Sequence, residues 1–459
     1  MNKQQHIIKK QIIELNLTSQ QGAFEVQNEV SRIYRSQVIF IIDNWLSNFS
    51  DSDTIYRVNT LEINLGNIDI NDLEQQFIDK VIEQTQQPLS EKINLSSSGY
   101  LTKTEPNIEI LSYFIQTGTL PWWSRKLSKQ ELEEYCDRLL TTSPKQVKYI
   151  VEQSLKNEIQ LQRLIYQFSD ATLLKITKLF TGDSSQFITD YYSIIKASFE
   201  QLETSINIPK TKFRLETWQG IFFSLCSQDN HTLADKIRLI QENLKAKGMQ
   251  FKIPLTERLE QFINDYEDKL KINIQPEAKS KQLELNSIVP FSDSEEIYIS
   301  NGGLILLWPF LTRLFSNIKL VEENCFVNLV AAERATLLLQ YLVDGSLDSS
   351  EDILSLNKIL CGIDLLEPME TKLDLTEQEQ SECENLLSAV IQNWSILKNT
   401  SIEGFRKAFL QRNSILKVRD GEWLLQVERE SYDILLDRIP WSIRVVKLPW
   451  MDKILYVEW

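Results

Sequence analysis

Apolar residues in this chain recur mostly at three- and four-residue spacing, the period of helices that bury one face. Phe24, Val26, Val30, Ile33, Tyr34, Val38, Ile41, Ile42, Trp45, Leu46 and Phe49 predict one long amphipathic helix, ended by Ser50-Asp51-Ser52-Asp53. The period then shortens to two, and Ile55, Leu61, Ile63 and Leu65 predict a strand closed by Gly66-Asn67. Asp69 to Asp72 offers N-cap oxygens and first-turn negative charge to a helix carrying Leu73, Phe77, Val81 and Ile82. Ahead of these, Ile7, Ile8, Ile12, Ile13 and Leu15 fit either a strand or a short helix.

Residues 85–107, with Pro88, Ser96-Ser97-Ser98-Gly99 and Pro106, read as a linker. A short helix follows over Ile108–Ile115, with Gly118 at the left-handed C-cap position and Pro121 beyond it. Helical patterns succeed one another from 128 to 270: Leu132–Leu140, Lys145–Leu155, Ile159–Gln167, Ala171–Leu179, Phe187–Leu202, Leu215–Leu225, Leu233–Leu244 and Leu255–Leu270. Short turns join them, as in a helical array or bundle, with no fixed solenoid period. Phe114-Ile115-Gln116-Thr117-Gly118-Thr119-Leu120 echoes Tyr341-Leu342-Val343-Asp344-Gly345-Ser346-Leu347. Shared ancestry explains the echo, and so does the physics of a glycine cap alone.

A second linker spans 272–295, and the last domain opens at Ile297-Tyr298-Ile299. Asn301-Gly302-Gly303 turns the chain into an apolar run, Leu304 to Leu311, and helices are predicted over 311–319, 328–343, 351–361, 376–397 and 401–411. Thr376 and Glu379 form a capping box for the fourth of these. Ile415–Val418, Asp420-Gly421 and Trp423–Val427 form a hairpin signal, and Tyr432–Ile439 a final helix. The chain ends on two apolar runs, Ile443–Leu448 and Ile454–Val457, around a turn at Pro449–Lys453. They read as a strand pair completing a core, or as a surface that docks on a partner. The fold class expected is mainly α with small β elements (α+β). A helix–strand–helix unit (1–84), a linker (85–107), a helical middle (108–271), a second linker (272–295) and a C-terminal α+β docking domain (296–459) make up the chain.

Composition narrows the function. The chain has 459 residues, 42% hydrophobic, with a formal charge of −15 that argues against nucleic acid or an anionic membrane as partner. No apolar run approaches the roughly 20 residues of a membrane span. Five cysteines, at 136, 226, 325, 361 and 383, form no CxxC pair and read as reduced thiols. With no signal-peptide core near Lys3, Lys9 and Lys10, a soluble protein made in the cytoplasm is expected.

The chemistry of an enzyme is missing from the pattern. His6 and His231 are the only histidines and lack HExxH-like spacing. Gly302-Gly303 lacks the GK[ST] ending of a phosphate loop. Acidic pairs such as Asp51/Asp53, Asp69/Asp72 and Glu322/Glu323 are what 64 acidic residues produce by chance. No cofactor, metal or catalytic residue is expected. Aromatic residues beside prolines remain: Trp122, Trp123, Trp308, Phe310, Trp441, Trp450 and Trp459 are candidate interface anchors, or else pack on their own core.

Taken together, several stretches resemble the tape measure protein family of phage-tail-like contractile injection systems. They are Val58-Asn59-Thr60-Leu61-Glu62-Ile63-Asn64-Leu65-Gly66, Phe114–Trp123, GGLILLWPFLTRLF (302–315), Glu333-Arg334-Ala335, Asn357–Gly362, NWSILKNTSIEGFRKAFLQR, YDILLDRIPWS and KLPWMDKILYVEW. The resemblance covers the first roughly 120 and last roughly 160 residues. It implies a non-enzymatic structural protein that helps set tube length and assemble the particle. Its partners would be inner-tube, baseplate/hub and tube-terminator proteins. It would be cytoplasmic during assembly and a candidate for incorporation in the particle. A folded chaperone or adaptor linking hub and tube, or a freestanding helical interaction module, would share these sequence features.

Overall fold

Caps and turn glycines set most element boundaries in the computed structural model, which describes residues 8, 11–17, 22–47, 62–94, 106–124, 126–181, 185–202, 209–226, 238, 242, 261, 296–397 and 399–459. The fold is mainly α with small β elements, in two units, Met1–Glu109 and Ile110–Trp459.

In the first unit, α1 (Ala23–Ile33), a π-helical turn (Tyr34–Val38) and α2 (Ile39–Ser47) form the continuous helix that the spacing predicts. Asp69 caps a 3-10 turn (Ile70–Asp72), its carboxylate accepting from Asn71 N–H at 3.0 Å, and α3 (Leu73–Asn94) follows. Val30, Ile33, Val38, Phe77 and Val81 form a small core. The strand expected over 55–65 is not formed across its described part, residues 62–65; the rest of it lies outside the described residues. Leu65 and Ile68 pack on the helical core instead, with no strand beside them among the described residues. Helix α3 runs to Asn94, into the stretch expected as a linker, because its Glu, Gln and Lys residues favour helix through Pro88. Residues 8 and 11–17 form no regular element and expose Ile8, Ile12, Ile13, Leu15 and Leu17.

Helix α4 (Pro106–Thr117) ends on Gly118, at φ 76°, whose N–H bonds Phe114 O at 2.8 Å. Six helices follow: α5 (Lys129–Thr142), α6 (Pro144–Ser154), α7 (Glu158–Gln167), α8 (Asp170–Thr181), α9 (Ser185–Leu202) and α10 (Lys210–Cys226). Their starts are specified locally by a Ser128–Glu131 capping box, Pro144 in the first turn of α6 and an Asn157 cap. Helix α8 packs on α5, α6, α9 and α10, and α7 on α6 and α10. The helical patterns at Leu233–Leu244 and Leu255–Leu270 and the second linker, 272–295, lie outside the described residues, apart from 238, 242 and 261.

The rest of this unit is built around a run of six buried residues, Gly302–Leu307, wound as a 3-10 helix. It leads through α11 (Trp308–Asn317) to α12 (Leu329–Asp344), with a small hairpin of β2 (Val321–Glu322) and β3 (Cys325–Phe326) between. A 3-10 turn (Glu351–Leu354), α13 (Ser355–Leu360), α14 (Glu377–Asn393) and α15 (Ile402–Phe405), which continues into a π turn (Arg406–Leu410), complete the helices. The Thr376–Glu379 capping box forms as expected. The helix expected over Tyr432–Ile439 is a 3-10 helix, Ser431–Arg438, with no fully buried residue, though Leu435 and Leu436 pack partly buried on the core.

A five-stranded sheet covers this core in the order β1-β4-β5-β7-β6: β1 (Ile297–Ile299), β4 (Ser414–Arg419), β5 (Glu422–Val427), β6 (Val445–Val446) and β7 (Leu455–Glu458). Asp420 and Gly421, at φ 55° and 83°, make the tight turn between β4 and β5. Strand β7 pairs parallel with β5 and antiparallel with β6, burying Leu455 and Val457. The chain's last residues therefore complete the core as a strand pair, and both edges are short.

Two glycines make the close approach of the apolar run to the sheet possible. A Cβ at Gly302 would collide with the Ser414 side chain, and one at Gly303 with the Phe409 carbonyl. Gly303→Ala should destabilise the unit by about 3 kcal/mol or more, because backbone must move. Gly421→Ala, where nothing lies within 4 Å, should cost only about 1–2 kcal/mol, from its left-handed φ. Urea denaturation of the two variants checks the order.

Candidate functional site

A buried charge cluster joins the helical array to the C-terminal part. Arg163 on α7, Glu351 at the start of the 3-10 turn before α13 and Lys358 on α13 are 0%, 1% and 1% exposed. Arg163 Nε donates to Glu351 Oε2 at 3.0 Å, and Lys358 Nζ to Glu351 Oε1 at 2.6 Å. Arg163 also donates to the Ile115 and Gln116 carbonyls that end α4, at 2.8 and 3.1 Å, and to Leu366 O at 2.5 Å. The negative end of the α4 dipole favours the guanidinium there. Lys358 spends its other donors on Leu365 O (3.2 Å) and Glu367 O (2.7 Å). One turn beyond Arg163, Gln167 accepts from Glu351 N–H and donates to Met369 O, both at 3.2 Å. Burial pushes the Lys358 ammonium below its usual value, and Glu351 pulls it back. Gly118 is required beside this cluster, since a Cβ would stand 2.6 Å from Glu351 Oε1 and 3.0 Å from Arg163 Nε.

The sequence did not single out Arg163, Glu351 or Lys358. Glu351 reads as an ordinary first-turn acid. The usable signal was polar: Arg163 and Gln167 are one turn apart among the apolar residues of α7, where a solvated face was not available.

The aromatic candidates are half-buried, and four tryptophans spend their indole N–H inside this unit. Trp308 donates to Ser442 O at 2.8 Å while Trp441 donates to Leu306 O at 3.1 Å, a reciprocal lock between the apolar run and the tail. Phe310 stands edge-on to Trp441 at 5.2 Å. Trp450 donates to Leu360 O at 2.8 Å and meets Phe326 at 4.8 Å and Phe315 at 5.8 Å. Trp459 donates to Asp433 at 2.9 Å under the Arg412 guanidinium. Trp122 and Trp123 lie half-buried on the turn Pro121–Ser124.

Titratable groups add a pH dependence. Burial, with Glu367 and Glu370 nearby and Lys358 opposing, raises the Glu333 carboxyl to about 7. Burial raises the Cys136, Cys361 and Cys383 thiols to about 12, so they stay protonated at neutral pH. Burial pushes the Asp170 carboxyl up as well, but hydrogen bonds from Tyr192, Lys196 and Trp218 and the Arg214 charge outweigh it and take it down to about 2. Among the described residues no group of three His, Cys, Asp or Glu side chains could hold a metal ion.

Two outcomes follow from these charges. Glu351→Gln leaves Arg163 and Lys358 buried without a counter-charge and should cost about 3–5 kcal/mol in urea denaturation at pH 7. Glu333 keeps its proton in the folded chain after the unfolded chain has lost it near pH 4.5, so its ionisation lowers stability as pH rises toward about 7. Glu333→Gln should therefore gain stability over the natural chain at pH 8 and gain none at pH 4, which denaturation at the two pH values checks.

The geometry is that of a cohesive framework held by ion pairs and tryptophan anchors. Among the described residues no helix is long and apolar enough to cross a membrane. Neither a curated protein nor a solved structure matches the chain. The family model described as "contractile injection system tape measure protein" matches residues 5–459. The chain belongs to the family of contractile injection system tape measure proteins.

Proposed function

We propose that this chain is a non-enzymatic structural protein that helps determine tube length and assemble the particle. The observation that carries this reading is the family match over nearly the whole chain, 5–459. In it, residues 296–459 are the docking domain and 108–271 set the spacing. Inner-tube, baseplate/hub and tube-terminator proteins are the partners, met in the cytoplasm during assembly and within the particle afterwards. Exposed Ile12, Phe24 and Phe40 (65%, 75% and 63%) in the first unit support a partner-bound state. Trp122, Trp123, Trp308, Phe310, Trp441, Trp450 and Trp459 keep exposed edges that a partner can use.

A second reading, a folded assembly chaperone or adaptor, is favoured by the Arg163–Glu351–Lys358 cluster. A single straight helix of the whole chain would span roughly 690 Å at 1.5 Å per residue, whereas the cluster ties the middle helices to the C-terminal part. Electron microscopy of particles assembled with helix-sized deletions between Lys145 and Leu270 separates the two. A ruler gives shorter particles of uniform length, decreasing with each deletion. Unchanged length with fewer particles, from deletions shown to be soluble and folded, overturns the ruler in favour of the assembly factor.

A further inference from the structure

The end of α4 is built a second time in this unit. Helix α12 ends on Gly345 at φ 76°, and its N–H bonds Tyr341 O at 2.8 Å, as Gly118 bonds Phe114 O at the end of α4. A later helix supplies an arginine to each end. Arg163 takes Ile115 O and Gln116 O, and Arg406 takes Leu342 O and Tyr341 O, both at 3.0 Å. Between cap and arginine, each copy carries a capping-box helix: Ser128/Glu131 opens α5 and Thr376/Glu379 opens α14. Each of these helices buries a cysteine, Cys136 or Cys383, ahead of a Leu-Leu pair, 139–140 or 386–387. Leu-Lys-Asn precedes each arginine helix, at 155–157 and 397–399. The echo of 114–120 in 341–347 marks the pair in sequence, while residues 346–375 stand as an insertion between the second glycine cap and its capping box. That insertion carries Glu351, the residue that fills the first copy.

The two copies differ at one place. The position a Cβ would take at Gly118 is met by Glu351 Oε1 at 2.6 Å as well as by Arg163. At Gly345, its chain neighbours aside, Arg406 alone comes within 4 Å, at 3.3 Å. A third arginine on a helix end, Arg214, caps Ile165 O and Phe168 O and also holds a carboxylate, Asp170 at 2.8 Å. Around Arg406 the carboxylates are otherwise engaged. Asp344 accepts from Gln340 and from Ser346 N–H, and Glu403 pairs with Lys407. Leu347, two residues past Gly345, is 48% exposed. In the first copy, the incoming segment is a 3-10 turn that begins with Glu351 and buries Leu354.

We propose that the helix end formed by Gly345, Arg406 and Leu347 is a docking socket for an acidic helical turn of a partner protein. A carboxylate seats on Arg406 through Nη1, since Nε and Nη2 are spent on Leu342 O and Tyr341 O, and an apolar residue one turn later covers Leu347. The inference rests on the two matched helix ends and stands whether the chain measures length or chaperones assembly.

The probe is a synthetic peptide of residues 349–360, Ser-Ser-Glu-Asp-Ile-Leu-Ser-Leu-Asn-Lys-Ile-Leu, and the same peptide carrying Glu351→Gln. Each peptide carries an N-terminal fluorophore, and the unlabelled full chain is titrated in to the highest soluble concentration. The Glu peptide should shift the fluorescence saturably, and the Gln peptide should bind at least about tenfold more weakly, the loss expected of a charge-assisted pair. Arg406→Gln should abolish the difference between the peptides. Equal binding of both peptides, or binding of neither, to the natural Arg406 chain overturns the proposal, and that comparison stands even where the Arg406 variant fails to fold.

Discussion

Burying Glu351 between Arg163 and Lys358 is the constraint on which the unit 110–459 depends. Taking three charges out of water costs several kcal/mol per ion, so the arrangement persists only where each donor and acceptor is satisfied. Here it is. One carboxylate faces two cations, and five backbone carbonyls, from Ile115, Gln116, Leu365, Leu366 and Glu367, supply the remaining negative potential. Those carbonyls come from the end of α4 and from the loop after α13, so the ions cannot be satisfied unless both segments are in register. Apolar packing alone would tolerate a slip between helices; this cluster does not.

The same logic recurs at the chain's end, with tryptophans in place of ions. Each indole covers apolar surface and spends its one donor on a backbone carbonyl or a carboxylate far away in sequence. The tail is thereby stitched to the 302–307 run, to the end of α13 and to the Arg412–Asp433 pair, and β7 can join the sheet parallel to β5.

Local signals in the sequence carried far. The Thr376–Glu379 capping box, the Asp420-Gly421 turn, the glycine caps at 118 and 345 and the amphipathic spacing of α5 to α9 all mark real elements, because each is decided within one or two turns of chain. Long-range facts were not visible. The 62–65 segment alternates like a strand but meets a helix face, and residues 431–438 have helical spacing but only partly bury Leu435 and Leu436. Glu351 looks like any first-turn acid until Arg163, 188 positions away, is placed beside it. The second copy of the α4 end was visible only as the echo of 114–120 in 341–347, since residues 346–375 separate that cap from its capping box. Family membership was readable because ordered aromatic stretches, such as 441–459, make the match specific.

A tape measure protein with a keyed, buried ionic joint must either work folded or undo that joint as a unit, because opening one side strands the other's charges. The central claim is that the helical array and the C-terminal part form one cooperative block. Native-state hydrogen exchange across a urea series tests it most directly, by comparing the amides of Leu161–Gln167 in α7 with those of Leu356–Leu360 in α13. Equal opening free energies with equal urea dependence, both reaching the global value, are the expected result. Opening of the α7 amides at markedly lower free energy, with α13 still protected, would mean two independent blocks and would contradict the account.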